Sequence, residues 1–116
     1  MVQSKAGKPI RPIRFYRLDS GREPVREWLR ALPLESKKAI GRDILTLQYG
    51  WPLGMPLARK LAENLWELRT RLGSANARMI FTVTEEDILL LHAFIKKTRK
   101  TPLQDLRIAL RRLNPR

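Results

Sequence analysis

At 116 residues, with 43% apolar and 30% charged side chains, the chain is long enough for one domain with a hydrophobic core, too short for two, and too apolar for global disorder. Twenty-four Lys and Arg against 11 Asp and Glu leave a net charge of +13, an excess that costs self-repulsion and points to a polyanionic partner, nucleic acid above all. The absence of cysteine and a single histidine exclude a disulfide framework and a thiolate metal site, so no metal and no cofactor are expected.

No apolar run approaches a membrane span, and no secretory h-region follows the N-terminal lysines. The expectation is a cytoplasmic protein with no membrane partner. Residues 1–9 have no apolar period and read as a flexible basic arm, which leaves residues 10–116 as the single domain. Arg11 to Leu18 alternates like a first strand, with Pro12 suited to a strand start or an edge. Pro24 fits the first turn of a helix, where its missing N–H is not needed. Val25, Trp28, Leu29 and Leu32 follow at helical spacing, and Pro33 ends the run. A second helix is expected from Leu34 to Tyr49, burying Ile40, Ile44 and Leu47, with Gly50 placed as its C-terminal cap. This helical hairpin needs a sheet to cover.

Trp51 to Pro56 is a loop by its Gly and Pro content, and Arg59-Lys60-Leu61 leads out of it. Three stretches of β-type alternation come next: Leu65 to Leu72, Ala77 to Thr84 and Asp87 to Ile95. Gly73-Ser74-Ala75-Asn76 and Glu85-Glu86 separate them, so the region reads as a β-meander. Because neighbours run antiparallel, the end of the first strand, the start of the second and the end of the third share one edge. Arg69, Arg71, Arg78, Lys96 and Lys97 collect there, while Glu85, Glu86 and Asp87 fall at the far edge. Glu67 is the one carboxylate near the cations in sequence, and so dense a cationic pole reads as a phosphate site.

Thr101-Pro102-Leu103-Gln104 carries the pattern of a capping box. A short last helix then lines up Leu106, Leu110 and Leu113, with Arg107, Arg111 and Arg112 on a side that is either solvated or RNA-facing. The order β-α-α-β-β-β-α predicts an α+β domain: a small antiparallel sheet, a helical hairpin mainly on one face and a short C-terminal helix.

The segments Leu65-Trp66-Glu67-Leu68-Arg69, Ala77-Arg78-Met79-Ile80-Phe81 and Leu90 to Lys97, followed by Lys100-Thr101-Pro102, resemble the phage-derived branch of the RelE/HigB toxins. The likeness runs from about Ile13 to about Leu113. It implies a RelE-like fold and a toxin of a type II toxin–antitoxin system. The implied activity is that of an mRNA interferase acting on message in the ribosome, neutralised by a cognate helix-turn-helix antitoxin. The family's catalytic cations fall on Arg69, with Arg71 beside it, and on Lys96 and Lys97. A tyrosine that many members carry near the C-terminus has no counterpart here, since Leu103 stands near that place; His92 is the residue available to compensate.

RNA can be cut by its own 2′-hydroxyl, so such a protein supplies positioning, charge neutralisation and proton transfer rather than a nucleophile. Guanidinium geometry assigns Arg69 and Arg78 to the phosphate. A lysine crowded by cations loses its proton more readily, which assigns Lys96 or Lys60 to proton transfer. Arg59, Lys60, Arg71 and Lys100 are the expected RNA-binding cations, joined by Trp51 if it stacks on a base rather than filling the core. His92 is open between a catalytic role and a buried, hydrogen-bonded one. Trp28, Trp66 and Phe81 read as core. Two other readings of the sequence are a basic RNA- or DNA-binding protein without catalysis, and a toxin of this fold acting on a protein such as gyrase. For an antitoxin, the loop from Gly50 to Ala58 offers an apolar docking surface.

Overall fold

The computed structural model describes residues 10–97 and 101–114; the basic arm expected at residues 1–9 lies outside them, as does Lys100. A short strand β1 (Ile13–Phe15) precedes two helices, α1 (Pro24–Arg30) and α2 (Leu34–Gly50). Four strands follow, β2 (Ala58–Ala62), β3 (Leu65–Leu72), β4 (Ala75–Val83) and β5 (Ile88–Lys96), and helix α3 (Leu103–Leu113) ends the described chain. The five strands form one sheet in the order β1-β5-β4-β3-β2.

The α+β class and the meander are as the sequence predicts, with two differences in the sheet. Arg59-Lys60-Leu61 is part of a strand, β2, pairing antiparallel to β3. The first strand is reduced to three residues and lies parallel to β5, Ile13 beside Ile88 and Phe15 beside Leu90, so the sheet is mixed rather than wholly antiparallel. A parallel neighbour needs a long crossover, and everything from α1 to β4 supplies it.

Two tight turns set the meander's register. Gly73, at φ +62°, opens the two-residue turn between Leu72 and Ala75, where a left-handed first position suits a residue without Cβ. Asn64, at φ 60°, takes the equivalent strain between β2 and β3, as the residue type that best tolerates it after glycine.

Helices cover both faces. α1 and α2 bury Val25, Ile40 and Leu47 against Leu68, Met79, Phe81, Ile88 and Leu90, with Trp28, Leu29 and Ile44 packed around them. Each fully buried aliphatic side chain contributes about 1.5–3 kcal/mol, which explains why the predicted stripes on both helices hold. On the opposite face, Ala109 of α3 packs on Leu65, Ile80 and Leu91, flanked by Leu106 and Leu113. Leu110 is exposed instead, so the helix turns Ala109 inward where the Leu-only stripe places Leu110.

α3 begins differently from its sequence signature. Its N-cap is Pro102, with no side-chain cap, because the Thr101 hydroxyl is spent elsewhere, donating to Oε2 of Glu67 at 2.9 Å. Gly50 is the last helical residue of α2 rather than a left-handed cap, and Trp51 N–H closes the helix on the Leu47 carbonyl.

Candidate active site

Cross-strand register brings the cations together. Arg69 of β3 lies directly opposite Arg78 of β4; Arg71 lies opposite Asn76, which is opposite Lys96 of β5; and Arg59 of β2 lies opposite Glu67. Directly opposed residues project to the same face, so all of these side chains share the face on which α3 is docked. The meander therefore does gather Arg69, Arg71, Arg78 and Lys96, on the sheet's face near one end of the strands.

Burial is deeper than a solvent-facing rim would have. Glu67 is 0% exposed, Lys96 3% and Arg78 5%, while Arg69 is half-buried and Arg59 and Arg71 are exposed. Like charges directly across a ladder repel, and Arg69 opposite Arg78 is such a pair. Glu67 is the counter-charge beneath them: its Oε1 is 3.6 Å from Nε of Arg78. That separation is an ion pair without a hydrogen bond, and neither atom finds another hydrogen-bond partner. Nη1 of Arg78 donates to the Ala77 carbonyl at 3.3 Å, and Nη1 of Arg69 reaches the sulfur of Met55 at 3.4 Å.

The electrostatic consequence falls on Lys96. Burial first, then the nearby Arg78, holds its ammonium below the usual lysine range; Glu67 opposes this, and Arg69 and Arg59 add to it. Burial also lowers Arg78, against Glu67 and with Arg69 and Arg59, but a guanidinium stays protonated in proteins. The site thus holds fixed positive charges beside one amine disposed to exchange a proton.

A cavity of about 590 Å³ opens beside the cluster. Arg69, Thr70, Arg71, Asn76 and Arg78 line it from the sheet, Ala39, Arg42 and Asp43 from α2, and Pro56 and Leu57 from the loop. Arg42 and Asp43 carry no strand-type signal and were not singled out by sequence. Glu67 stands in the sequence as an acid beside the cations, and its alternation with Arg69 and Arg71 is the signal that puts it among them.

The other expected site residues lie elsewhere. Lys60 is opposite Trp66, hence on the other sheet face, and its ammonium is 3.6 Å from Glu63; it is remote from the proton-transfer position. Lys97 is exposed just beyond β5. Trp51 belongs to the core: its ring meets Trp66 edge-on at 4.9 Å and Phe81 at 5.5 Å. Leu53 and Leu57 also turn in against that core, leaving Met55, 63% exposed, as the apolar tip of the loop. His92 Nε2 is 2.6 Å from Oδ1 of Asp105 and its ring stacks on Phe94, so it fastens α3 to β5. Ile80 separates it from Glu67 in the register. Arg112 is likewise a fastening, donating to the Leu91 carbonyl at 2.7 Å and lying over the Tyr16 ring.

Residues 27–114 match the family of phage-derived Gp49-like proteins (DUF891). The chain belongs to that family. Gp49-like proteins are counted among the RelE/ParE-like toxins, and the match runs from within α1 to the end of α3, including every described member of the cation cluster. No curated protein matches the chain. Among the described residues, no helix of this Gp49-like protein is long and apolar enough to cross a membrane, and no group of three or more His, Asp or Glu side chains is placed to hold a metal ion.

Proposed function

We propose that this Gp49-like protein is the toxin of a type II toxin–antitoxin system and acts as a RelE/HigB-type mRNA endoribonuclease on the ribosome. The observation that carries the reading is the cluster itself. Arg69 and Arg78 oppose each other across β3 and β4 with Lys96 beside them, at a cost in repulsion that a bound phosphodiester would relieve.

In this reading Arg69 and Arg78 hold the non-bridging oxygens of the scissile phosphate and stabilise the charge that grows there as the 2′-oxygen attacks. Bond formation between the 2′-oxygen and phosphorus breaks the bond to the 5′-oxygen, leaving a 2′,3′-cyclic phosphate and a 5′-hydroxyl. The 2′ proton must leave and the 5′-oxygen must gain one. Lys96, with its proton loosened, serves that transfer, and Glu67 positions Arg78. The RNA brings its own nucleophile, so the step needs no metal-activated water. Neutralisation by an antitoxin fits the same site, through an acidic segment over the cations or an apolar one over Met55.

A second reading, a polyanion binder without catalysis, is favoured by the near-complete burial of Arg78 and Lys96, which leaves Arg59, Arg69 and Arg71 as the more accessible of the clustered arginines among the described residues. In vitro translation with toe-printing separates the two. The nuclease produces cuts inside the reading frame with 5′-hydroxyl ends, and a 2′-deoxy substitution at the cut nucleotide abolishes that cut. Uncut message, with translation slowed only by binding, supports the second reading.

A further inference from the structure

The cavity beside the cluster has a wall that phosphate chemistry does not explain. Arg42 and Asp43 lie on α2, on the flank that carries Ala39, since residues three and four apart on a helix share a side. The Asp43 carboxylate is half-buried in a cavity lined by four arginines, yet it makes no ion pair or hydrogen bond among the described residues. A site for phosphate alone gains nothing from an unneutralised carboxylate, which repels the ligand. A site that also takes a base does gain, because a carboxylate accepts from ring and exocyclic N–H groups while excluding a second phosphate.

We infer that this cavity is a guanine-binding subsite, in which Asp43 selects the base while Arg69 and Arg71 keep the attached phosphate. Guanine is the base that sets two donors side by side on one edge, N1–H and the 2-amino group, at the spacing of two carboxylate oxygens. Adenine and cytosine each offer one amino group there, and uracil one ring N–H. Arginine complements the other edge of guanine through O6 and N7, and Arg42 stands next to Asp43 for that role. Ala39, Pro56 and Leu57 give the purine faces apolar surface, and about 590 Å³ falls within the range of small-ligand pockets. The place of this subsite in catalysis rests on the nuclease reading; its base preference does not.

The test is calorimetric titration of the full-length protein with GMP, IMP and AMP at low salt. Wild type is expected to bind GMP about tenfold or more tightly than AMP, the selectivity of one good bidentate pair, with IMP between them because it lacks the 2-amino group. Asp43→Asn is expected to keep its melting temperature and bring the GMP to AMP ratio close to one. Equal affinity of the wild type for GMP and AMP overturns the inference, as does an Asp43→Asn protein that keeps the preference. Guanine selectivity in a protein that leaves message intact would sustain this inference and sink the nuclease reading; cleavage without guanine selectivity would do the reverse.

Discussion

Glu67→Gln probes the charge balance of the cluster with little change of shape. The amide still accepts the Thr101 hydroxyl, but the one negative charge under Arg78 and Lys96 is gone. Glu67 is 0% exposed, and the two cations are 5% and 3% exposed, so water cannot take over the role of the carboxylate. Removing one member of a buried pair costs about 3–5 kcal/mol. The lower end applies here, because Nε and Oε1 are 3.6 Å apart and do not share a hydrogen bond. At about 4 °C per kcal/mol for a domain of this size, the variant should melt about 12 °C below wild type. A short RNA, supplying negative charge at the same place, should raise the melting temperature of the variant more than that of wild type. Thermal melts with and without RNA check both parts. A variant that melts within about 1 °C of wild type, or that gains no more from RNA, would refute the idea that Glu67 neutralises the cluster.

Three further substitutions separate catalytic from structural roles. Burial and neighbouring arginines hold Lys96 below the ordinary lysine value of 10.5, so the unfolded chain keeps this proton to higher pH than the folded one. The resulting penalty is full below the depressed folded value and fades as pH rises towards 10.5, so stability should climb through that interval. Lys96→Met should flatten the climb relative to wild type and abolish cleavage at every pH; stability curves that stay parallel all the way up to pH 10.5 would contradict this. His92→Ala should cost about 1–2 kcal/mol in urea denaturation by freeing α3 from β5, yet keep cleavage within about tenfold of wild type once the protein is folded; a much larger loss would make His92 catalytic. Trp51→Ala should destabilise by about 3 kcal/mol through the cavity left between Trp66 and Phe81, with RNA affinity of the folded protein unchanged in filter binding.

The helices and the meander were legible because their apolar spacing is long and uninterrupted: Val25, Trp28 and Leu29, then Ile40, Ile44 and Leu47, face the core as their period requires. β1 was visible as a strand but its direction was not, since a parallel partner 75 residues away along the chain, as Ile13 is from Ile88, leaves no local signature. His92 shows how a strand pattern can mislead. It alternates with Leu90 and Phe94 in sequence, but a bulge at the Ile80/Phe81 register shift breaks the alternation. Leu90 then faces the helical hairpin and His92 faces α3. Thr101-Pro102-Leu103-Gln104 has every residue of a capping box, and the buried carboxylate of Glu67 outcompetes the helix end for the hydroxyl. Of the site, the cations could be read because antiparallel pairing fixes which strand ends meet. Arg42 and Asp43 could not, because α2 approaches the strand edge through tertiary packing, and a charged pair on a helix otherwise reads as solvated surface.

The most direct test of the cluster as the seat of cleavage is the single-turnover rate on programmed ribosomes for Arg69→Ala against wild type, measured beside the melting temperature of each. Because Arg69 faces another arginine across the ladder, its removal should leave stability equal or higher while slowing cleavage by about a hundredfold or more. Undiminished cleavage by the variant would contradict the account.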